Sequence, residues 1–204
     1  MIATTISASH GRARARAEVR GCELTSSCTI SLSRDRHDLN MSNELADGVR
    51  RMLADANQRG LAVELRRRPA ARSLEEAAEL LGIRPSEMAK TIVVRRSNGS
   101  YLFALIPGDT QIAWPKLRSL LGVSKMKLPD AAEAFAATGY ERGTITPIGS
   151  EPSWPVIIDE RLAGRRAALG AGGHGYSAFV EIDDLVRAYE ATVADIASQA
   201  QSAR

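Results

Sequence analysis

Residues 89–106 have the sequence AKTIVVRRSNGSYLFALI, and this stretch decides the fold. Two runs rich in β-branched and large apolar residues, 89–96 and 101–106, flank the tetrapeptide Ser-Asn-Gly-Ser. An Asn-Gly pair between two such runs is the strongest short-range signal for a β-hairpin. The sequence therefore predicts two adjacent antiparallel strands near the middle of the chain.

The segments on either side of this hairpin alternate between helix and strand patterns without a repeating unit. Helices are predicted from a cap at Ser42 or Asn43 to about residue 59, over 73–82 with Ser73 as the cap, over 114–121, over 130–137, and from Asp183 or Asp184 to about 198. Further strands are predicted at 61–66, 125–128, 144–148, 156–159 and 176–182. This order is neither a βαβ repetition nor all-β, so it predicts an α+β fold with helices around a mixed sheet.

The sequence around Lys90 gives the strongest indication of function. Strand alternation places Lys90 on the same face as Ile92 and Val94, so its ammonium must reach solvent, pair, or meet an anionic ligand. The chain holds 23 Arg but only four Lys, which indicates that a compact charge is wanted here. A strand-end lysine that simply reaches solvent is the alternative.

Two glycine-rich segments are candidate ligand-binding loops. Residues 138–149 have the sequence TGYERGTITPIG, and residues 170–176 have the sequence GAGGHGY. Glycine allows a ligand to approach the backbone closely and leaves N–H groups free to bind it. Because a strand pattern follows the second segment, it is not the phosphate loop of a dinucleotide fold. An ordinary hairpin loop and a flexible turn are the alternatives for the two segments.

Two further side chains near these segments could take part in chemistry. His174 is the only histidine after residue 40, so any imidazole acid–base step falls to it, with a structural or solvated histidine as the alternative. Asp159 ends the predicted strand 156–159, where active-site carboxylates often lie. Pairing of Asp159 with Arg161 or Arg165 is the alternative.

The charge of the chain argues against a broad nucleic-acid-binding face. The formal net charge is +3, of which residues 1–40 carry 6 − 4 = +2 and the remaining residues 21 − 20 = +1. A protein that contacts many phosphates needs many cations on one face. Aromatic platforms for single strands are also few, although Trp114 and Tyr140 could either stack on a base or pack in the core.

Residues 1–40 differ from the rest of the chain. Their apolar residues follow no helix or strand period, so we expect a disordered tail. The alternative is that translation begins at Met41 and that the start of the sequence is assigned too far upstream. A basic arm that binds nucleic acid is a third option. The spacing of Cys22 and Cys28 is not that of a zinc site, and the absence of cysteine after residue 40 agrees with a cytoplasmic protein. The apolar runs are far shorter than the ~20 residues of a membrane span.

Taken together and in this order, the clusters resemble the YbaK/proline–tRNA synthetase-associated domain family. The shared blocks are AKTIVV at 89–94, the glycine-rich segment at 139–149, VIID at 156–159, and the glycine loop ahead of the last strand and helix. The resemblance covers roughly residues 45–190. It implies a barrel-like mixed sheet surrounded by helices, formed by residues 41–204 as a single domain.

The resemblance also implies a function. The family includes free-standing aminoacyl-tRNA deacylases that hydrolyse the ester of mischarged tRNA, and the tRNA-Pro type is expected here. The implied partners are the acceptor end of a mischarged tRNA and an aminoacyl-tRNA synthetase, with no cofactor, no metal, no DNA and no membrane. The alternative is a non-catalytic module that binds a nucleotide or an aminoacyl-tRNA.

Residue roles follow from the same resemblance. By position, Lys90 matches the essential lysine and residues 143–147 match the GxxxP-type substrate loop, with Thr146 where many relatives carry Ser. Hydrolysis passes through a tetrahedral oxyanion, which the N–H groups around Gly143 and Gly173 could stabilise. The expected catalytic residue is Lys90, and the expected substrate-binding residues are Thr91, Gly143, Thr146, Pro147, Asp159, Gly172, Gly173 and His174.

Overall fold

The computed structural model describes residues 29–30 and 45–199 of the 204-residue chain. The five α-helices in these ranges are α1 (Asp47–Gln58), α2 (Leu74–Leu81), α3 (Trp114–Leu121), α4 (Ala131–Thr138) and α5 (Ile182–Tyr189). The strands are β1 (Thr29–Ile30), β2 (Glu64–Arg67), β3 (Ala89–Arg96), β4 (Tyr101–Pro107), β5 (Thr110–Ile112), β6 (Met126–Lys127), β7 (Val156–Asp159), β8 (Arg166–Gly170), β9 (Tyr176–Glu181), β10 (Thr192–Ala194) and β11 (Ala197–Gln199). Short 3₁₀ turns lie at Pro85–Glu87 and Glu160–Leu162.

The strands form two larger sheets and one small ladder. The first sheet has the order β1-β2-β9-β8 and is antiparallel throughout. The second has the order β10-β7-β4-β3-β6, with parallel pairs at β4–β7 and β7–β10. The strands β5 and β11 pair antiparallel. The predicted α+β fold with a mixed sheet is confirmed, although the described strands do not close into a barrel.

The predicted hairpin is the centre of the second sheet. Lys90 lies opposite Ile106 and Val94 opposite Leu102, and Gly99 in the turn has φ of +85°. That φ is the left-handed conformation that Asn-Gly turns require. Both faces of β4 are covered, because the side chains of residues 102–106 are at most 1% exposed.

Apolar side chains pack on both faces of this hairpin. The main core includes Val93 and Leu105, together with the inward face of α1. The second core lies on the opposite face and includes Val94 and Ile106, covered by α3. A third cluster packs under α2 and consists of Ala77, Ala78, Met88, Ala168 and Phe179. Alternation along β3 therefore directs its odd-numbered residues to the main core and its even-numbered residues to the other face.

Helix ends set by local signals are where the sequence predicts them. The Ser73 hydroxyl accepts a hydrogen bond from the Glu76 N–H (3.1 Å), and α2 stops at Gly82 with φ of +67°. Asp130 caps α4 through the Glu133 N–H (2.8 Å). Each contact satisfies a backbone group that the helix terminus leaves unpaired. The predicted caps of the first helix, Ser42 and Asn43, lie outside the described residues, and α1 begins at Asp47.

Two predicted elements are wrong, each because of a contact with a distant part of the chain. Residues 144–148 form turns instead of a strand, since the Thr144 carbonyl accepts from the Gly172 N–H (2.9 Å). The last helix ends at Tyr189 instead of about 198, where Glu190 has φ of +48°. The chain then forms β10 and β11, which pair with distant strands that the local sequence does not reveal.

The first 40 residues contribute one described element. Thr29 and Ile30 form β1 and pair with Arg66 and Leu65 on β2, within the segment where the sequence predicts no packed element. The rest of 1–40, with Cys22 and Cys28, lies outside the described residues. Within the described part of the chain, no helix is long and apolar enough to cross a membrane.

Asp55 connects α1 to α5 and to the loop after α4. Its carboxylate accepts hydrogen bonds from the Tyr189 hydroxyl, the Gly149 N–H (2.8 Å) and Arg59 Nε (2.9 Å). Burial alone would raise the pKa of Asp55, but these hydrogen bonds outweigh burial and lower the pKa below its ordinary value. Burial and the bond to Asp55 raise the pKa of Tyr189.

We therefore expect Asp55→Asn to cost about 1–3 kcal/mol of unfolding free energy at neutral pH. A depressed folded-state pKa contributes stability above the unfolded pKa of about 4, and this contribution is lost as pH falls through the folded-state pKa. The stability gap between the wild type and Asp55→Asn should thus shrink below about pH 4. Urea unfolding at a series of pH values measures it, and a constant gap down to about pH 3 would contradict the assignment.

Candidate functional site

Lys90 occupies a half-buried position near the start of β3. Its Nζ donates a hydrogen bond to the carbonyl oxygen of Thr110 (2.8 Å), and among the described residues no carboxylate lies within ion-pair distance of it. An ammonium has three donors, so two remain for a ligand after the bond to Thr110. The Lys90 ammonium is therefore positioned by a protein carbonyl and is not a freely solvated charge at the end of a strand.

The register of the strands places Lys90 in a row that crosses three strands. An isolated parallel bridge joins Met88 to Ala168, so Lys90 and Gly170, each two residues further along, face the same side of neighbouring strands. Ser177 lies opposite Gly170 on β9, and directly opposed residues share a face. Lys90, Gly170 and Ser177 thus lie in one row on the side of their strands that faces away from the main core. This side is covered by α3 at β3 and β4 and by α2 at β8 and β9.

The first loop, residues 139–149, lies over this row. A Cβ atom added at Gly170 would be 2.3 Å from the carbonyl oxygen of Ile145 and 2.6 Å from that of Thr144. Such distances are shorter than any real Cβ contact, so only glycine lets the loop come this close. The central part of the first loop consequently rests on β8, one strand away from Lys90.

The second loop, residues 170–175, packs against the first. The Gly172 N–H donates to the Thr144 carbonyl (2.9 Å), and a Cβ at Gly143 would lie 3.9 Å from His174 Cε1. Gly143 and Gly172 have φ of +89° and +76°, which side chains rarely adopt. The structure therefore brings together the two glycine segments that the sequence singles out.

His174 lies at the exposed rim of the two loops. Its Nε2 is 3.0 Å from Glu141 Oε2, and the two side chains are 61% and 68% exposed. A pair this exposed is weakly coupled and surrounded by water. His174 lies beside both loops, and its described partner Glu141 is too exposed to fix the imidazole in the orientation that a general base needs.

Thr146 and Pro147 shape the first loop from within. Both are buried, and the Thr146 hydroxyl accepts from the Ile148 N–H (3.3 Å). Their side chains are thereby committed to the loop's own packing. Substrate contacts from this segment would come from its backbone.

Thr91 faces the opposite side of β3 from Lys90, whereas alternation along β7 puts Asp159 on the same side of the second sheet as Lys90, two strands away. Thr91 is opposite Leu105 and faces the main core, where its hydroxyl is buried without a hydrogen-bond partner among the described residues.

The Asp159 side chain is fully buried and accepts from Arg161 Nη1 (3.0 Å) and from the N–H groups of Ile196 and Ala197 (2.9 and 2.8 Å). Asp159 therefore anchors Ile196 and Ala197 to β7, and its carboxylate is occupied by these protein partners.

Arg68 is a residue of this region that the sequence analysis does not single out. Its Nε donates to the Ser177 hydroxyl (3.0 Å), and its backbone N–H donates to the Gly175 carbonyl (2.8 Å). Burial lowers the pKa of its guanidinium, which nonetheless stays charged. The available signal was the run of three arginines at 66–68, whose third member follows directly after β2. Arg68 and Lys90 place cations on either side of the first loop.

A cavity of about 580 Å³ lies away from this row. It is bounded by the C-terminal half of α1 and by strands of the first sheet, and its lining includes Leu53, Leu61 and Phe179. None of the predicted site residues lines it. We place the candidate site at the row of Lys90, because the cations and the glycine loops that can bind an anionic group are there.

Two half-buried cations beside two glycine loops form an arrangement suited to an anionic ligand, which side-chain charge and backbone N–H groups can contact. Residues 68–188, more than half of the chain, match the family model described as the aminoacyl-tRNA editing domain. The chain belongs to this family. The matched range contains Lys90 and both loops, in agreement with the resemblance found in the sequence.

Two named relatives agree with this family assignment. Over 101 residues the chain is 31% identical to the candidate Cys-tRNA(Pro)/Cys-tRNA(Cys) deacylase EbsC of Enterococcus faecalis, covering 50% of this chain and 62% of that protein. It is 29% identical over 116 residues to the proline–tRNA ligase of Trichlorobacter lovleyi, covering 57% of this chain and 20% of the ligase. The chain thus spans about a fifth of the ligase and less than two thirds of EbsC.

Solved structures share the fold. The hypothetical protein APE2540 superposes with a TM-score of 0.69 at 29% identity, over 72% of this chain and 99% of that one. A candidate trans-editing enzyme for prolyl tRNA synthetase superposes with a TM-score of 0.68 at 24% identity, over 76% and 99%. The second likeness supports the fold alone, and both agree with the predicted α+β class.

Proposed function

We propose that the protein is a free-standing aminoacyl-tRNA deacylase that hydrolyses the ester of a mischarged tRNA of the tRNA-Pro type. Membership in the editing-domain family and the names of its relatives support this function. The single observation that carries it is the half-buried Lys90 ammonium, held by the Thr110 carbonyl beside the first loop with donors to spare. The acceptor end of the tRNA would bind across the row of Lys90, Gly170 and Ser177.

The chemistry required of the site is modest. Water attacks the ester carbonyl carbon, a tetrahedral oxyanion forms, and the C–O bond to the terminal ribose then breaks with proton transfer to the ribose oxygen. Groups that donate hydrogen bonds to the oxyanion provide most of the acceleration in such reactions. The N–H groups of Gly143 and Gly173 donate to no other group within the described residues, so both are available for this role. Lys90 would neutralise charge at the ester or at the adjacent phosphate.

Water would be oriented by the loop backbone and by the free hydroxyl of the terminal ribose. The exposed His174–Glu141 pair is the only imidazole–carboxylate pair in the described part of the chain. Its solvent exposure makes it a poor general base, because a base has to be fixed at the attacking water. Selection among amino acids would then come from the shape of the site, at about 1–3 kcal/mol for each methylene.

A panel of mischarged tRNAs tests the proposal. We expect the full-length protein to release the amino acid from at least one member, Cys-tRNA(Pro) first among them, at least tenfold faster than buffer does, and to leave Pro-tRNA(Pro) intact. The measurement is the fraction of ester remaining with time. Saturable binding of the panel without hydrolysis of any member would contradict the proposal and favour a binding module.

A further inference from the structure

The helix α1 contacts both glycine loops, although it precedes the family-matched segment 68–188. Its side chains and backbone meet the first loop at residues 139 and 149 and the second loop at 172 and 173. Nothing in the sequence of α1 marks it as part of a site. The contacts nevertheless place one rigid element behind both loops.

Arg51 joins the two ends of the first loop. Its Nε donates to the Gly149 carbonyl (2.7 Å) and its Nη2 donates to the Gly139 carbonyl (2.9 Å). The guanidinium carbon lies 4.4 Å from the centre of the Tyr140 ring, a cation–π distance. The planar guanidinium fork can hold two carbonyls at fixed separation, which a lysine ammonium does less well.

Asp55 completes the attachment at Gly149. The carboxylate accepts from the Gly149 N–H (2.8 Å), so both backbone polar groups of this residue bind side chains of α1. A Cβ at Gly149 would lie 2.8 Å from the Arg51 carbonyl oxygen, which means that loop and helix backbones touch. The Tyr189 hydroxyl donates to the same carboxylate oxygen, Oδ2, and Arg59 Nε donates to Oδ1 (2.9 Å).

The second loop rests on the first turn of α1. A Cβ at Gly48 would be 2.0 Å from the Gly172 carbonyl oxygen, and a Cβ at Gly173 would be 2.7 Å from Val49 Cγ2. The loops are thus fixed from one side by α1 and from the other by β8. The ends of the first loop are held by hydrogen bonds to α1, its residues 144 and 145 rest on β8, and Gly143 is exposed.

We propose that α1 is a positioning element of the site, in which Arg51 and Asp55 fix the ends of the first loop so that residues 143–147 keep their place beside Lys90. This inference rests on the proposed deacylase function. A displacement of about 1 Å at a reacting group can cost about 100-fold in rate, so a loop held only by its own contacts would be a weak catalyst. Arg51 and Asp55 act through the loop and touch no substrate.

The kinetic test compares Arg51→Met and Arg51→Lys with the wild type. We expect Arg51→Met to lower kcat about 10- to 100-fold with KM changed less than about threefold, because it removes a hydrogen bond from each end of the loop. Arg51→Lys should recover part of the loss by holding one carbonyl. The matched control is Arg50→Met on the neighbouring exposed residue, whose described partners are Asp47 and the Leu45 carbonyl; it should stay within about twofold. All assays run well below each variant's melting temperature.

Amide hydrogen exchange gives a readout that does not depend on activity. In Asp55→Ala the Gly149 amide should exchange at least tenfold faster, while amides of the central strand β4 keep their protection. A kcat within twofold of wild type in a folded Arg51→Met variant, or unchanged exchange at Gly149, overturns the positioning role. A wild type without deacylase activity whose Gly149 amide still responds to Asp55→Ala overturns the proposed function alone and supports the positioning of the loop by α1.

Discussion

Replacing Lys90 by alanine should lower kcat/KM for ester hydrolysis by about 100-fold or more and leave the fold intact. The ammonium is the cation on the row beside the first loop, and its described protein contact is one hydrogen bond to Thr110. Loss of that bond costs about 1 kcal/mol of stability, whereas loss of a charge that stabilises an oxyanion costs about 3–4 kcal/mol in the transition state. Single-turnover hydrolysis and thermal unfolding of the same preparations separate the two effects.

The control for Lys90 is another lysine on the same sheet. Lys127 is 60% exposed on β6 and pairs with Glu133, so Lys127→Ala removes a charge without touching the row. It should change kcat/KM less than about twofold. Turnover by Lys90→Ala within threefold of the wild type would contradict the assignment of this residue.

Replacing Gly172 by alanine should destabilise the protein by about 3–5 kcal/mol and abolish most of its activity. Two costs add at this position. Its φ of +76° is strained for any side chain, and the new Cβ would lie 2.5 Å from the Gly48 carbonyl oxygen and 2.7 Å from the Tyr140 ring. Since neither α1 nor the buried Tyr140 can give way cheaply, the second loop has to move away from Gly143. Urea unfolding and deacylation rates measure the two consequences.

Gly164 provides the matched control for this substitution. Its φ is +68°, close to that of Gly172, but nothing lies within 4 Å of a Cβ added there. Gly164→Ala should therefore cost only the left-handed conformation, about 1–2 kcal/mol, and keep activity. Equal losses of stability and activity in Gly172→Ala and Gly164→Ala would show that backbone strain alone causes the effect. The contact between Gly172 and α1 would then contribute nothing.

Elements set by neighbouring residues could be predicted from the sequence. The Asn-Gly turn, the Ser73 and Asp130 caps and the glycine stops depend on contacts within four residues. The turn at 144–148 and the strands β10 and β11 depend on contacts with Gly172 and Asp159, which are far away in the chain. A local pattern holds no information on such partners, so the β-favouring composition of 144–148 misled the prediction.

The residues of the candidate site also fall into those that the local sequence predicts and those that it does not. Lys90 and the glycine segments stand out because their residue types are unusual for their local pattern, and their roles as site residues stay predictions. Alternation along β3 already places Thr91 opposite to Lys90, and the structure agrees. Arg51, Asp55 and Arg68 resemble ordinary charged residues, because their contacts with the loops join residues 88 to 107 positions apart in the chain.

Single-turnover hydrolysis of Cys-tRNA(Pro) by the wild-type protein, with the recovered tRNA charged again afterwards, tests the deacylase function most directly. We expect release of free cysteine faster than in buffer and tRNA that accepts an amino acid as well as before, since only the ester is cut. Lys90→Ala should bind the same tRNA with little release. Cysteine release at the buffer rate from a protein that saturably binds the tRNA would contradict the deacylase function.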